Sequence, residues 1–233
     1  MSLLELKRVS KLYGRGMCQR VVLRDVSLEI EPGEVVAVWG RRRSGRSTLL
    51  RIAAGVEAPD SGVVRFAGRD MSRHGAEMLG GGIGYCRKAF PPSEGTVVLD
   101  QLIVGQIARG IAPSLAATRA RAGLERAGVE HCAALRPSEL DCAEAVRVAV
   151  ARALTLQPRL LLIDEPTMGV DLGARDGILR LLHSLASDGT AVLTSTGEST
   201  GLSGARALTL GEGELHGSAT RELATVVPLR RPA

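Results

Sequence analysis

The chain has 233 residues, a formal net charge of +5, 45% hydrophobic residues and only 2% aromatic ones. That length suffices for one large or two small domains around an aliphatic core of Leu, Val, Ile and Ala. The scarcity of aromatics argues against stacking platforms for single-stranded nucleic acid. No apolar run nears the roughly 20 residues of a spanning helix. The opening Met-Ser-Leu-Leu-Glu-Leu-Lys carries an acid and no long apolar block, so no signal peptide is expected and a cytosolic protein is.

Residues 2–9 and 21–30 alternate well enough to be strands, with a glycine-containing loop at 14–16 between them. After the turn Glu31-Pro32-Gly33-Glu34, Val35 to Val38 forms a short continuous apolar run suited to a strand buried on both faces. Gly40-Arg41-Arg42-Arg43-Ser44-Gly45-Arg46-Ser47 follows, and Ser47 to Ala54 reads as a helix. This is the strand–loop–helix setting of a phosphate loop, with arginine where lysine is expected. Asp60-Ser61-Gly62 turns into a strand at 63–66, and Ile83-Gly84-Tyr85 predicts another.

From about 95 to 156 apolar residues recur at helical spacing, which predicts a helical insert. Strand patterns return at 160–163 and 191–195 around a helix at 172–187, and this alternation implies an α/β fold with a parallel sheet. Residues 206–216 read as a hairpin around Gly211-Glu212-Gly213, and the last fifteen as a loosely held tail.

The four cysteines (Cys18, Cys86, Cys132, Cys142) form no C-x-x-C pair and read as free thiols. The four histidines are equally dispersed, so no zinc site is expected.

The chemistry concentrates in two segments. In a phosphate loop, backbone N–H groups and a helix N-terminus surround the phosphates. Gly40 and Gly45 allow the tight path, Ser44 and Thr48 lie within the binding segment, and Ser47 would place its hydroxyl on Mg²⁺. Leu161-Leu162-Ile163-Asp164-Glu165-Pro166 is an apolar run ending in adjacent carboxylates, costly unless a cation or a reacting water needs them. Asp164 would hold the metal and Glu165 would orient or deprotonate the attacking water. The competing account of the loop is a glycine turn with solvated arginines. Its pairing with the carboxylate strand favours a nucleotide.

With these motifs the chain resembles the ATP-binding cassette ATPases, the motor subunits of ABC transporters, over nearly its whole length. The resemblance implies a P-loop NTPase fold: a RecA-like parallel core sheet, an antiparallel β subdomain and an inserted α-helical subdomain. It implies a nucleotide-binding core with β subdomain at 1–90 and 157–217, a helical subdomain with the signature region at 91–156, and a tail at 218–233. Tyr13 matches the aromatic that stacks on adenine, and Asp171 the aspartate that faces a partner cassette. The implied cofactors are ATP and Mg²⁺. The implied partners are a second cassette, as homo- or heterodimer, and a separate transmembrane permease that keeps the chain peripheral on the cytoplasmic face. A cassette acting on ribosomes or DNA is the weaker reading, and no nucleic-acid partner is expected.

Four positions depart from the family pattern. Arg46 replaces the phosphate-loop lysine with a longer, planar, forked cation, and Arg41, Arg42 and Arg43 add positive charge beside it. Lys88 falls at the Q-loop glutamine, where an ammonium cannot ligate Mg²⁺. Leu140-Asp141-Cys142-Ala143-Glu144 replaces Leu-Ser-Gly-Gly-Gln, and Asp-x-x-Glu predicts a self-capped helix in place of a phosphate grip. Gly197 stands where the switch histidine belongs. Together these predict weak turnover, and a degenerate cassette acting as a regulatory or structural partner is the alternative reading.

Overall fold

The computed structural model describes residues 2–14, 18–72, 82–86, 95–197 and 204–217. Two sheets carry the fold. The first is antiparallel, in the order β2 (Arg20–Ile30), β1 (Leu4–Tyr13), β4 (Ser61–Phe66) and β5 (Arg69–Asp70).

β1 runs four residues beyond the alternation that predicts it. Leu4, Leu6 and Val9 are buried, and the period slips by one at Arg8, where φ is 51°. That residue is a bulge: Leu6 faces Leu28, but Val9 faces Val26. A second irregularity at Asp25 on β2 (φ 49°) restores the count, so that Lys11 faces Leu23. The strand therefore continues to Tyr13, which brings that ring to the phosphate loop.

The second sheet has the order β10 (Glu214–Gly217), β9 (Arg206–Gly211), β3 (Val35–Trp39), β8 (Ala191–Thr196), β7 (Leu160–Asp164) and β6 (Ile83–Cys86). Its members are parallel except β10, which pairs antiparallel with β9. The expected hairpin is present, and its first strand also extends the parallel sheet alongside β3.

β7 is buried along its whole length because both faces are covered. Leu160 and Leu162 pack into the core shared with α1 (Arg46–Ala53) and the antiparallel sheet. Leu161 and Ile163 pack into the core shared with α5 (Leu172–Ser187) and the inserted helices. Those helices are α2 (Val98–Ile107), α3 (Pro113–Ala127) and α4 (Cys142–Leu154), with 3-10 turns at Glu130–Ala134 and Pro137–Glu139. The first helix begins at Arg46, one residue earlier than its pattern predicts.

Candidate nucleotide site

The C-terminal ends of β3, β7 and β8 meet where the loop after β3 turns into α1. Gly40 N–H donates to Thr196 C=O, which seats the loop on the sheet. Both loop glycines are required by space. A Cβ at Gly40 would lie 2.5 Å from Ser44 Oγ and 2.6 Å from Leu210 O, and one at Gly45 would lie 2.7 Å from Val22 O. Gly45 also has φ 107°, which disfavours any side chain. The loop and the start of α1 border an open cavity of about 710 Å³. Tyr13, Arg20, Val22, Arg42, Arg43, Ser44, Gly45, Arg46, Ser47, Thr48 and Glu165 line it. Arg41 is exposed beside it.

Arg46 is the least solvated of these cations, with 5% of its surface exposed. Its Nη2 donates to Glu165 Oε1 at 2.8 Å. Its Nη1 is buried and has no hydrogen-bond partner among the described residues, and neither has Ser44 Oγ. Buried donors of this kind are normally satisfied, and an acceptor-rich anion in the cavity would satisfy them. Gly197 lies against the same guanidinium: a Cβ there would sit 3.6 Å from Nη2 and 3.7 Å from Nη1. The longer cation thus extends to the space next to the residue that lacks a side chain.

Behind this pair the two carboxylates are fixed by β8. Parallel pairing sets Asp164 opposite Ser195. Ser195 Oγ donates to Asp164 Oδ1 at 2.5 Å and accepts from Glu165 N–H at 3.0 Å. Ser195 is fully buried, and Asp164 is 7% exposed. Glu165 has φ 48°, an uncommon conformation for a side-chain-bearing residue, held by these contacts. Asp164 borders a smaller, mostly apolar cavity of about 190 Å³, together with Glu165, Leu140, Asp141 and Cys142. Ser47 borders the larger one. Both offer the hard oxygen donors that Mg²⁺ takes.

Tyr13 is held by its hydroxyl. It donates to Glu57 Oε1 at 2.5 Å and accepts from Arg51 Nη2 at 3.0 Å, while Thr48 Oγ1 lies 3.4 Å away. Lys11 Nζ sits 5.8 Å from the ring centroid. Burial works against the Glu57 charge, but the Tyr13 hydroxyl and the Arg51 and Lys11 cations outweigh it and keep the carboxyl below its ordinary 4.5. Tyr13 remains 38% exposed and lines the cavity.

The signature-like segment opens α4. Asp141 Oδ1 accepts from Glu144 N–H at 2.7 Å, and Glu144 Oε2 accepts from Asp141 N–H at 2.9 Å, a closed capping box. The Asp141 carboxylate thus takes one of the N–H groups at the start of α4. Cys142 is exposed and Ala143 half-buried on the first turn. Asp171 caps α5 through Ala174 N–H at 3.0 Å. Lys88 lies outside the described residues.

Sequence reasoning did not single out Ser195, Arg51 or Glu57. Ser195 had a signal, a hydroxyl at the end of the strand before the switch position, but its role depends on which strand lies beside β7. Arg51 and Glu57 read as ordinary surface charges until β1 is seen to reach Tyr13. His131 and Cys132, neighbours in sequence, also converge in space with Glu144 from the start of α4.

The family model described as ABC transporter matches residues 23–168. A lipoprotein-releasing system ATP-binding protein, LolD of Geobacter metallireducens, is 36% identical over 186 residues, covering 78% of this chain and 83% of that protein. Among solved structures, the ATP-binding cassette MJ0796, a dimer bound to ADP and Pi after hydrolysis, superposes with a TM-score of 0.81. It is 28% identical, with 91% of this chain and 96% of that one covered. CbiO1 of Clostridium perfringens, part of the ABC transporter complex cbiONQ, gives a TM-score of 0.77 at 25% identity, covering 92% and 86%.

Proposed function

The chain belongs to the ABC transporter family of ATP-binding cassettes and is the ATP-binding subunit of a transporter; on that premise we propose how its own site handles ATP. The triphosphate docks on the amides of 40–47, with the base against Tyr13. Arg46 turns its unsatisfied Nη1 to the terminal phosphates. That buried, unpartnered nitrogen at the mouth of a phosphate loop is the observation that carries the reading. Ser47 and Asp164 would hold Mg²⁺, which supplies charge neutralisation at the phosphates when bound.

Turnover is slow because Glu165 is committed. A carboxylate paired to a guanidinium is a poorer proton acceptor and is held away from a water it would orient. Gly197 offers no side chain toward the phosphate, and Asp141 closes its own helix. Removal of a single pre-placed stabilising group typically lowers a rate by a factor of about a hundred, although such losses need not multiply.

Two cassettes enclose the nucleotide, and a separate permease receives the motion. No described helix is long and apolar enough to cross a membrane; the dimeric MJ0796 cassette supports a second cassette, and CbiO1, part of a transporter complex, supports a permease. The chain then sits peripherally on the cytoplasmic face. Affinity purification from detergent-solubilised membranes tests this assignment. A multi-spanning protein should co-purify, and ATP hydrolysis by the complex should stay slow. Brisk turnover by the unmodified chain would overturn the slow-cycle reading, and the absence of any membrane partner would overturn the transporter-coupling one.

A further inference from the structure

We propose that His131, Cys132 and Glu144 form a transition-metal site of the zinc class that ties the 3-10 turn Glu130–Ala134 to the start of α4. One ligand atom from each of the three lies within 4.8 Å of the others, and His131 Nε2 is 3.0 Å from Glu144 Oε1. Imidazole, thiolate and carboxylate are the three ligand types zinc takes. Bonds of about 2.0–2.3 Å place the ligand atoms of a tetrahedral ion roughly 3.3–3.8 Å apart. The set therefore has to contract by about 1 Å to hold an ion. The His131 side chain is 62% exposed, so a fourth position opens to water on that side.

The electrostatics favour a cation. Cys132 is fully buried, with the carboxylates of Glu144 and Asp141 placing negative charge near it. The same negative field that opposes a bare thiolate attracts a divalent ion, which displaces the thiol proton to solvent and takes the sulfur as ligand. One proton is released for each ion bound. The thiolate makes the site soft, so Mg²⁺ does not compete for it. Glu144 keeps Oε2 for Asp141 N–H. An ion on Oε1 would therefore hold both ends of the capping box and stiffen the start of α4. The proposal does not depend on how the nucleotide site works.

The test is titration of the purified chain with Co²⁺ followed by absorbance, and with Zn²⁺ followed by calorimetry in two buffers of different protonation enthalpy. Cys18 and Cys142 are exposed, so the titrations use a chain carrying Cys18→Ser and Cys142→Ser. One ion per chain, a thiolate-to-cobalt charge-transfer band and proton release are expected. His131→Ala, a surface change, should weaken binding by at least about tenfold and leave ATP binding unchanged. Cys132→Ser should abolish the band. Absence of the band, or its persistence undiminished in His131→Ala, overturns the proposal.

Discussion

Arg46 Nη2 and Glu165 Oε1 are 2.8 Å apart, across 119 residues of sequence, and both side chains are largely removed from solvent. The cation proposed for the phosphates and the carboxylate proposed for the attacking water neutralise each other. On the proposed reading, nucleotide at Nη1 shares the guanidinium's charge with Glu165 at Nη2. Glu165→Gln removes the charge that competes, so the expected outcome is a several-fold gain in ATP affinity by calorimetry with no gain in turnover. Weaker binding in that variant would show that Glu165 orients Arg46 rather than restraining it.

The contact between Arg46 and Gly197 makes their substitutions interdependent. Gly197→His alone sets an imidazole beside the guanidinium, whose nitrogens already lie in van der Waals contact, at 3.6–3.7 Å, with a Cβ at that position. It should lower ATP affinity without raising turnover. Arg46→Lys alone shortens the cation and frees Glu165, but leaves Gly197 without a side chain. Only the double variant should raise steady-state phosphate release sharply, with a gain larger than the product of the single effects. Equal and additive single gains would contradict the coupling.

Metal removal has an unusual expected outcome. The guanidiniums of Arg20, Arg42, Arg43 and Arg46 line the cavity against the single carboxylate of Glu165. Much of the triphosphate charge is therefore met by side chains. ATP affinity measured in EDTA should fall within about threefold of that in Mg²⁺, a difference of under 1 kcal/mol. Arg46→Lys should increase the metal dependence. A loss of tenfold or more in EDTA with the unmodified chain would show that the cation, not arginine, carries the phosphates.

The capping box at α4 predicts a stability effect. Asp141→Ala should cost about 1 kcal/mol, seen as a fall of about 2–4 °C in Tm for a chain of this size. The backbone N–H of Asp141, then His131, hold the Glu144 carboxyl below its ordinary 4.5. A depressed carboxyl contributes stability that is present above its unfolded value and lost as pH falls through the folded one. The Tm difference between the native chain and Glu144→Gln should therefore be full at neutral pH and shrink on acidification below about 4.5. A difference that is constant with pH would contradict the assignment.

Much of this arrangement was legible in the sequence because period and punctuation agree. The continuous apolar runs at 35–38 and 160–163, and the shorter apolar start of 191–195, read as strands, and the glycine loop after the first of them marked the expected phosphate end. Asp141 and Glu144 announced their capping box by spacing alone. What was not legible depended on lateral neighbours. The bulge at Arg8 breaks the alternation of β1, so the route by which Tyr13 reaches the cavity is invisible to a period-2 reading. The Ser195 bond to Asp164 needs β8 beside β7 in register. The Arg46–Glu165 pair needs the reach of arginine, since the loop and the carboxylate strand had been matched to separate roles.

The most direct measurement is a calorimetric titration of the purified chain and its Arg46→Ala variant with ATP. Saturable, one-to-one binding by the native chain, weakened at least about tenfold in the variant, is the predicted result. No heat from the native chain at millimolar ATP, or equal binding by both proteins, would contradict the claim that Arg46 holds the triphosphate at residues 40–47.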